Sequence, residues 1–148
     1  MDKCIFIYNP ENKSYVIHWE FDENGIATES HVFSSKPTLE EIKKIIHGYY
    51  NLKCEKEIVS GLQYEGSTVW LSIENQINYK AVFDLADKQD FKPVIIKLGN
   101  EFEPVYKTFE NYAAFEGFVN TCFQHIQTTL KKYWDIKNSI DWNKYTLE

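Results

Sequence analysis

Alternating hydrophobic and polar residues near the N-terminus predict a meander of three antiparallel strands. In Ser14–Phe21 every second side chain is large and apolar, which is typical of a strand with one buried face. A short apolar run, Cys4–Tyr8, precedes this strand, and a more polar run, Ile26–Phe33, follows it. The intervening sequence Asp22–Gly25 predicts a four-residue hairpin loop, because glycine readily adopts the positive φ that such a turn needs.

Helical spacing replaces the alternation after Pro37. Thr38 and Glu41 have the spacing of a capping box, in which each side chain accepts a hydrogen bond from the other residue's backbone amide. Apolar residues then recur every three or four positions as far as Tyr50. Asn51 is interpreted as the C-terminal stop of this helix.

The stretch Ile58–Ala86 repeats the order of hairpin and helix. Strands Glu57–Tyr64 and Thr68–Leu71 are predicted on either side of a turn that contains Gly66. Ser72 is the predicted N-cap of a helix that runs to about Lys88. Apolar residues on two adjoining faces predict that this helix is largely buried. The first face carries Ile73, Ile77, Ala81 and Leu85, and the second carries Tyr79, Val82, Phe83 and Ala86.

A third hairpin and the longest helix complete the pattern. Val94–Leu98 and Val105–Phe109 are predicted strands, and Asn111 is the predicted N-cap of the last helix. The fold class is therefore α+β, in the order βββα-ββα-ββα, with antiparallel hairpins each followed by a helix, helices packed on the sheet, and a long C-terminal helix. We expect a single domain over residues 1–148. The alternative is an N-terminal βββα part, 1–52, and a C-terminal ββαββα part, 56–148.

Charge and cysteine usage narrow the classes of function. The net charge is −6, and all 16 basic residues are lysines, so the chain lacks the arginines that commonly contact phosphates and bases. We therefore predict no nucleic-acid partner. Three cysteines without a paired spacing predict reduced thiols, and the N-terminal apolar run is too short for a signal peptide or membrane span. These features predict a protein of the cytoplasm without a membrane partner.

The sequence contains no recognisable catalytic or metal-binding constellation. His18 and His31 lie on neighbouring strands, where a four-residue turn would place His31 opposite Val16, but a third ligand is lacking. Cys122 and His125 share one side of the last helix, but a cysteine within an apolar stripe disfavours the thiolate that a nucleophile needs. We therefore predict no catalytic residue, no metal and no cofactor.

An unusual cluster of side-chain amides, Asn75, Gln76 and Asn78, lies at the start of the second predicted helix. Asparagine is a poor helix former, because its side chain competes for backbone hydrogen bonds. The cluster either satisfies loops and strand edges beside the helix or forms a polar contact surface for a ligand or partner. Amides donate and accept hydrogen bonds but hardly titrate, so they suit recognition better than acid–base catalysis. The candidate contact surface consists of Trp70, Glu74, Asn75, Gln76, Asn78 and Tyr79.

The same stretch carries a resemblance to a known family. Residues 69–86 read VWLSIENQINYKAVFDLA, and the pattern VWLSxENQxNYKAxxDLA resembles small proteins of Bacteroides-type genomes and their phages, related to a domain of phage tail-fibre and tail-assembly proteins. The similarity extends to Glu103–Tyr106, Thr108-Phe109 and Ile140–Trp142. The resemblance implies a phage or prophage context and a structural role. It implies no catalytic residues.

Two functions follow as expectations. The first is a non-enzymatic structural or assembly component of a virion, made in the host cytoplasm and acting as a homo-oligomer or with another phage structural protein. The alternative is a counter-defence protein that binds a small ligand and sequesters a nucleotide signal. For that alternative, Lys80 and Lys97 are the candidate phosphate contacts.

Overall fold

The computed structural model describes residues 4–147, and within them the α+β class and the order βββα-ββα-ββα are confirmed. Residues 1–3, which precede the predicted strand Cys4–Tyr8, and residue 148 lie outside the described part. The strands are β1 (Phe6–Asn9), β2 (Ser14–Phe21), β3 (Ala27–Phe33), β4 (Leu62–Tyr64), β5 (Ser67–Val69), β6 (Val94–Gly99) and β7 (Pro104–Phe109). The helices are α1 (Leu39–Ser60), α2 (Ile73–Leu85) and α3 (Tyr112–Asn138). The described strands form three separate antiparallel sheets, β1-β2-β3, β4-β5 and β6-β7.

Internal contacts divide the described chain into two units. Unit 1 contains residues 4–51 and 135–147, and unit 2 contains residues 52–134. The single-domain organisation expected from the sequence stays a prediction.

In unit 1 the meander forms with a register that differs by one residue from the predicted one. Asp22 N donates to Ile26 O over 2.9 Å, so the loop has five residues and Phe21 pairs with Ala27. The predicted four-residue loop, and with it the placement of His31 opposite Val16, was therefore wrong. His31 lies opposite Ile17, and because a one-residue shift exchanges the two faces of a strand, it lies on the other face from His18.

The tail of unit 1 packs onto the strands and helix that precede it. The ring of Trp142 meets that of His47 at 5.4 Å between centroids, and the Tyr145 hydroxyl donates to the backbone carbonyl of His18 over 3.0 Å. Trp142 and Tyr145 belong to a short 3-10 helix, Trp142–Tyr145, whose N-cap is Asp141. Asp141 thus begins a helical turn.

The helix α1 has the predicted beginning but not the predicted end. Thr38 N donates to Glu41 Oε2 over 2.7 Å and Glu41 N donates to Thr38 Oγ1 over 3.2 Å, which is a complete capping box. The helix continues through Asn51 to Ser60, so the predicted stop at Asn51 and the predicted strand start at Glu57 were wrong. The lysines and glutamates after Asn51 favour helix, and Gly61 follows the last helical residue.

Helix α2 has the predicted cap but buries a different face. Ser72 accepts a hydrogen bond from Asn75 N over 3.2 Å, and the helix ends at Leu85, three residues before the predicted end. Ile73, Ile77 and Leu85 are 72%, 65% and 87% exposed, so the prediction that this apolar line is buried was wrong. The core of unit 2 is contacted instead by the other predicted face, which contributes the buried Tyr79 and the half-buried Val82 and Phe83.

Helix α3 contributes four buried side chains to the core of unit 2. Asn111 Oδ1 accepts a 2.9 Å hydrogen bond from Ala114 N, which confirms it as the N-cap. The buried side chains of α3 recur at helical spacing, and they pack against the inward residues of β5, β6 and β7. From α3 the core contains Phe115, Phe118, Val119 and Cys122, and from the strands and the following loop it contains Val69, Leu71, Ile96, Leu98 and Phe109.

Candidate functional site

The candidate site is built around the short connection between β5 and α2. Leu71 is fully buried and holds this connection to the core, while its neighbour Trp70 is half exposed. Ser72 then adopts an extended conformation, with φ −59° and ψ 160°, and caps the helix. One anchored residue and one cap therefore fix the direction in which Trp70 and the first turn of α2 project.

Two of the amides hold this connection in place. Asn75 Nδ2 donates to the backbone carbonyl of Trp70 over 2.7 Å, and Gln76 Nε2 donates to that of Leu71 over 2.9 Å. These carbonyls precede the helix and belong to no strand pair, so the amides satisfy acceptors that the backbone leaves open. For Asn75 and Gln76 the side-chain amide thus bonds the loop beside the helix. This agrees with the interpretation that the cluster satisfies loops and strand edges.

A cleft of about 820 Å³ lies beside this connection, entirely within unit 2. From the side of α2 it is lined by Trp70, Asn75, Asn78 and Tyr79. The opposite side is the β6–β7 hairpin, which contributes Ile95, Ile96, Lys97, Gly99, Asn100, Glu101 and Phe102. Four of the six residues of the predicted contact surface therefore meet at one cleft. The volume is in the range of about 300–1,000 Å³ that is usual for small-molecule sites.

The hairpin loop has a constrained shape. Gly99 has a φ of +80°, and a Cβ atom at this position would clash with the carbonyl oxygen of Glu103. Asn100 Oδ1 accepts from the backbone amides of Phe102 and Glu103 over 2.9 and 2.8 Å. The glycine and the asparagine together fix the loop that carries Glu101 and Phe102 to the cleft.

Hydrogen-bonding groups remain free on both sides of the cleft. The Oδ1 atom of Asn75, the Nδ2 atom of Asn100 and the whole side-chain amide of Asn78 have no hydrogen-bond partner among residues 4–147. Tyr79 is only 4% exposed, and burial raises the pKa of its hydroxyl to about 12, so the group stays protonated at neutral pH. The cleft therefore offers both donors and acceptors without a titrating group among these four residues.

The structure leaves two predicted residues outside the cleft. Glu74 is exposed in the first turn of α2, where a carboxylate favours the helix dipole, and Gln76 is engaged with Leu71. Lys80, one of the two candidate phosphate contacts, pairs instead with Asp84 over 2.7 Å and does not line the cleft. Lys97, the other candidate, does line it.

Apart from Lys97, the sequence does not connect the β6–β7 hairpin with the amide cluster. The sequence predicts a strand over Val94–Leu98, of which Ile96 and Leu98 are buried while Ile95 and Lys97 are exposed. The sequence Gly99-Asn100 also indicated a turn. Neither signal shows that this turn lies beside α2, because that contact depends on how both elements pack on α3.

The titratable groups considered from the sequence do not form a reactive site. Burial raises the pKa of Cys122 to about 12, and the residue is 1% exposed, so the thiol stays protonated. His125 Nε2 lies 2.8 Å from the backbone carbonyl of Glu57 and is engaged there. No group of three metal-ligating side chains occurs in the part of the chain that the structure describes.

In comparisons with known proteins, no family model, no curated protein and no solved structure matches the chain. The phage-protein resemblance of residues 69–86 therefore stays a prediction. Across residues 4–147, none of the helices combines the length and the apolar character that crossing a membrane requires.

Proposed function

We propose that the protein is a non-enzymatic structural or assembly component of a phage virion and acts through protein–protein contacts made by α2. The observation that carries this proposal is the exposed apolar stripe of that helix, defined by Ile73, Ile77, Ala81 and Leu85. Their spacing of four residues places them along one side of the helix, opposite Tyr79. A long apolar stripe of this kind on a surface is typical of an interaction site.

The energetics favour covering this stripe. Burying a fully exposed isoleucine or leucine stabilises a complex by about 1.5–3 kcal/mol per side chain. Ile73, Ile77 and Leu85 each retain most of their exposure, so most of that free energy is available to a partner. The ion pair between Lys80 and Asp84 lies beside the stripe and supplies the polar rim that protein interfaces usually have.

The phage context of the proposal rests on the resemblance of residues 69–86. This segment contains α2 from its cap to its end, and thus the whole stripe. A homo-oligomer or a complex with another phage structural protein is the expected state, and the virion is the expected location after synthesis in the host cytoplasm.

The test is the mass of the native assembly. Native mass spectrometry of the purified protein, together with light scattering over a range of concentrations, should detect a defined oligomer or a co-purified protein. Ile77→Lys should dissociate it, whereas Val32→Lys, a matched change of an exposed aliphatic residue on β3, should not. A wild-type monomer at every concentration, absent from purified phage particles, would refute the proposal.

A second candidate function, ligand binding, is favoured by the cleft between α2 and the β6–β7 hairpin. A nucleotide signal needs positive charge for its phosphates. Lys97 is the only lysine that lines the described cleft, and Glu101 lines it too. The cleft therefore supports ligand sequestration as a class of function more strongly than it supports a nucleotide as the ligand.

A further inference from the structure

The charge of the cleft argues for an uncharged ligand. Its lining contains one lysine, Lys97, and one acidic residue, Glu101, so the formal charges cancel. A phosphate would lack the arginine contacts that recognise it in two-point geometry, since the chain contains no arginine. An organic cation would meet Glu101 but also the ammonium of Lys97. A neutral molecule avoids both conflicts.

The free hydrogen-bonding groups specify the chemistry further. Asn75 offers its Oδ1 acceptor and one N–H of Nδ2, because only the other N–H donates to the Trp70 carbonyl. Asn100 offers only its Nδ2 donors because its Oδ1 already accepts two backbone amides. Asn78 offers both kinds of group. A ligand that satisfies all three asparagine side chains must present donors and acceptors close together. Each hydroxyl group of a polyol is both a donor and an acceptor.

The apolar part of the lining requires a flat, C–H-rich face on the ligand. Trp70 lines the cleft and is 49% exposed, while Ile95 and Phe102 are exposed on the hairpin side. An aromatic ring face attracts the weakly positive hydrogens of an adjacent C–H or N–H group. A pyranose ring carries C–H groups on one face and hydroxyls at its edge, which matches both parts of the lining.

From these three features we infer that the cleft binds a neutral saccharide, with the sugar ring against Trp70 and its hydroxyls on Asn75, Asn78 and Asn100. The inference rests on the second candidate function, ligand binding, and is independent of the assembly role of α2. The stripe of α2 and the cleft contain different side chains, so each can be changed without changing the other.

The experiment is saturation-transfer NMR on the full-length protein with defined probes. The saccharide probes are oligosaccharides of glucose, mannose, galactose, N-acetylglucosamine and xylose at millimolar concentration, and the ionic probes are AMP and inorganic phosphate. We expect saturation transfer to the ring protons of at least one saccharide. Trp70→Ala and Asn78→Ala should each weaken that binding about tenfold, by loss of a stacking face and of a two-way hydrogen-bonding group.

Trp134→Ala is the matched control, because Trp134 is 51% exposed in the same unit but does not line the cleft. Its affinity for the saccharide should stay within about twofold of wild type. Asn78→Asp, which keeps the size of the side chain, checks that the loss is chemical and not structural, and unfolding curves confirm that each variant is folded.

The other outcomes distinguish failure of the saccharide from failure of ligand binding by the cleft. If AMP binds in a way that Trp70→Ala abolishes and no saccharide does, ligand binding stands and the saccharide is refuted. If no probe shows transfer, or if transfer is equal in wild type and Trp70→Ala, both the saccharide and the ligand function of this cleft are refuted.

Discussion

The hydroxyl of Tyr133 donates a 2.7 Å hydrogen bond to the carboxylate of Glu57, and so joins the last turns of α1 to α3 within unit 2. Lys132 Nζ lies 3.0 and 2.9 Å from the two oxygens of the same carboxylate. The hydrogen bond from Tyr133 and the charge of Lys132 together hold the pKa of Glu57 below its ordinary value, against the effect of burial. The folded protein thus favours the charged form of Glu57.

We expect Glu57→Gln to lower the free energy of unfolding at pH 7 by about 1 kcal/mol, the size of a charge-assisted hydrogen bond in a partly solvated position. Urea unfolding measures this. Glu55→Gln is the matched control, since Glu55 is an exposed glutamate of the same helix, and its effect should be negligible.

The pH dependence of this difference has a definite sign. A carboxyl whose pKa is lower in the folded state stabilises above its unfolded pKa, and the stabilisation is lost as pH falls through the folded pKa. Glutamine does not titrate, so the difference between wild type and Glu57→Gln should shrink as the pH falls from the ordinary glutamate pKa of 4.5 through the lowered pKa of Glu57. A difference that stays constant from pH 7 to pH 3 would contradict this account.

Alanine substitutions of Asn75 and Asn78 should change stability to different extents, because Asn75 anchors the loop whereas Asn78 is a candidate contact group. Asn75→Ala removes the 2.7 Å hydrogen bond to the Trp70 carbonyl and should cost about 1 kcal/mol of unfolding free energy. Asn78→Ala removes an exposed amide without a partner among the described residues and should change stability by less than about 0.5 kcal/mol. Equal losses in thermal or chemical unfolding would contradict the assignment of different roles.

Gly99→Ala should destabilise unit 2 because the new Cβ would meet the Glu103 carbonyl in a backbone conformation that alanine rarely adopts. The expected cost is about 1–3 kcal/mol. Gly117→Ala is the opposite case, since Gly117 is inside α3 with open space around its Cβ position, and it should stabilise by about 0.5–1 kcal/mol. Unfolding midpoints of the two variants should therefore move in opposite directions.

Cys122 should resist alkylation in the folded protein. Its thiol is buried, and its pKa of about 12 leaves little thiolate at pH 8. Iodoacetamide, followed by intact-mass and peptide analysis, should label the exposed Cys4 about 100-fold faster or more. In urea the two rates should converge. Fast labelling of Cys122 in native buffer would show that this part of the core opens readily.

The order of elements could be predicted because the signals that begin each helix are local in the sequence. The capping box at Thr38 and the caps at Ser72 and Asn111 fix three helix starts through hydrogen bonds between residues three positions apart. Helix ends are harder to predict. Asn51 is interpreted as a C-terminal stop, but contacts with residues farther along the chain allow α1 to continue. The hydrogen bonds of Glu57 to Lys132 and Tyr133 are among those contacts.

The orientation of α2 could not be predicted from its pattern. The helix carries apolar residues on two sides, and either Ile73, Ile77 and Leu85 or Tyr79 and Phe83 could have faced the core. Tyr79 and Phe83 are buried or half-buried because their rings pack against Phe118 and Phe115 at 5.5 and 6.2 Å between centroids. Aromatic contacts with a helix that begins 27 residues after α2 ends decided the orientation, and no local periodicity contains them.

Only the α2 side of the candidate site could be predicted as a group of neighbouring residues. The amide cluster and Trp70 are contiguous in sequence and stood out by composition, so the α2 side of the cleft was available to local reasoning. From the hairpin side only Lys97 was predicted, as a candidate phosphate contact, whereas Asn100 and Phe102 reach the cleft through the packing of another hairpin.

Unit 2 is inserted, in chain order, between the two segments that build unit 1. Its residues, 52–134, are contiguous, whereas the fold of unit 1 needs residues 135–147, which carry Trp142 and Tyr145 to His47 and His18. On a translating ribosome the meander and the first part of α1 therefore emerge first, but their partners emerge only after all of unit 2. Unit 2 can complete its core during synthesis, whereas unit 1 can complete its fold only after residues 135–147 have emerged.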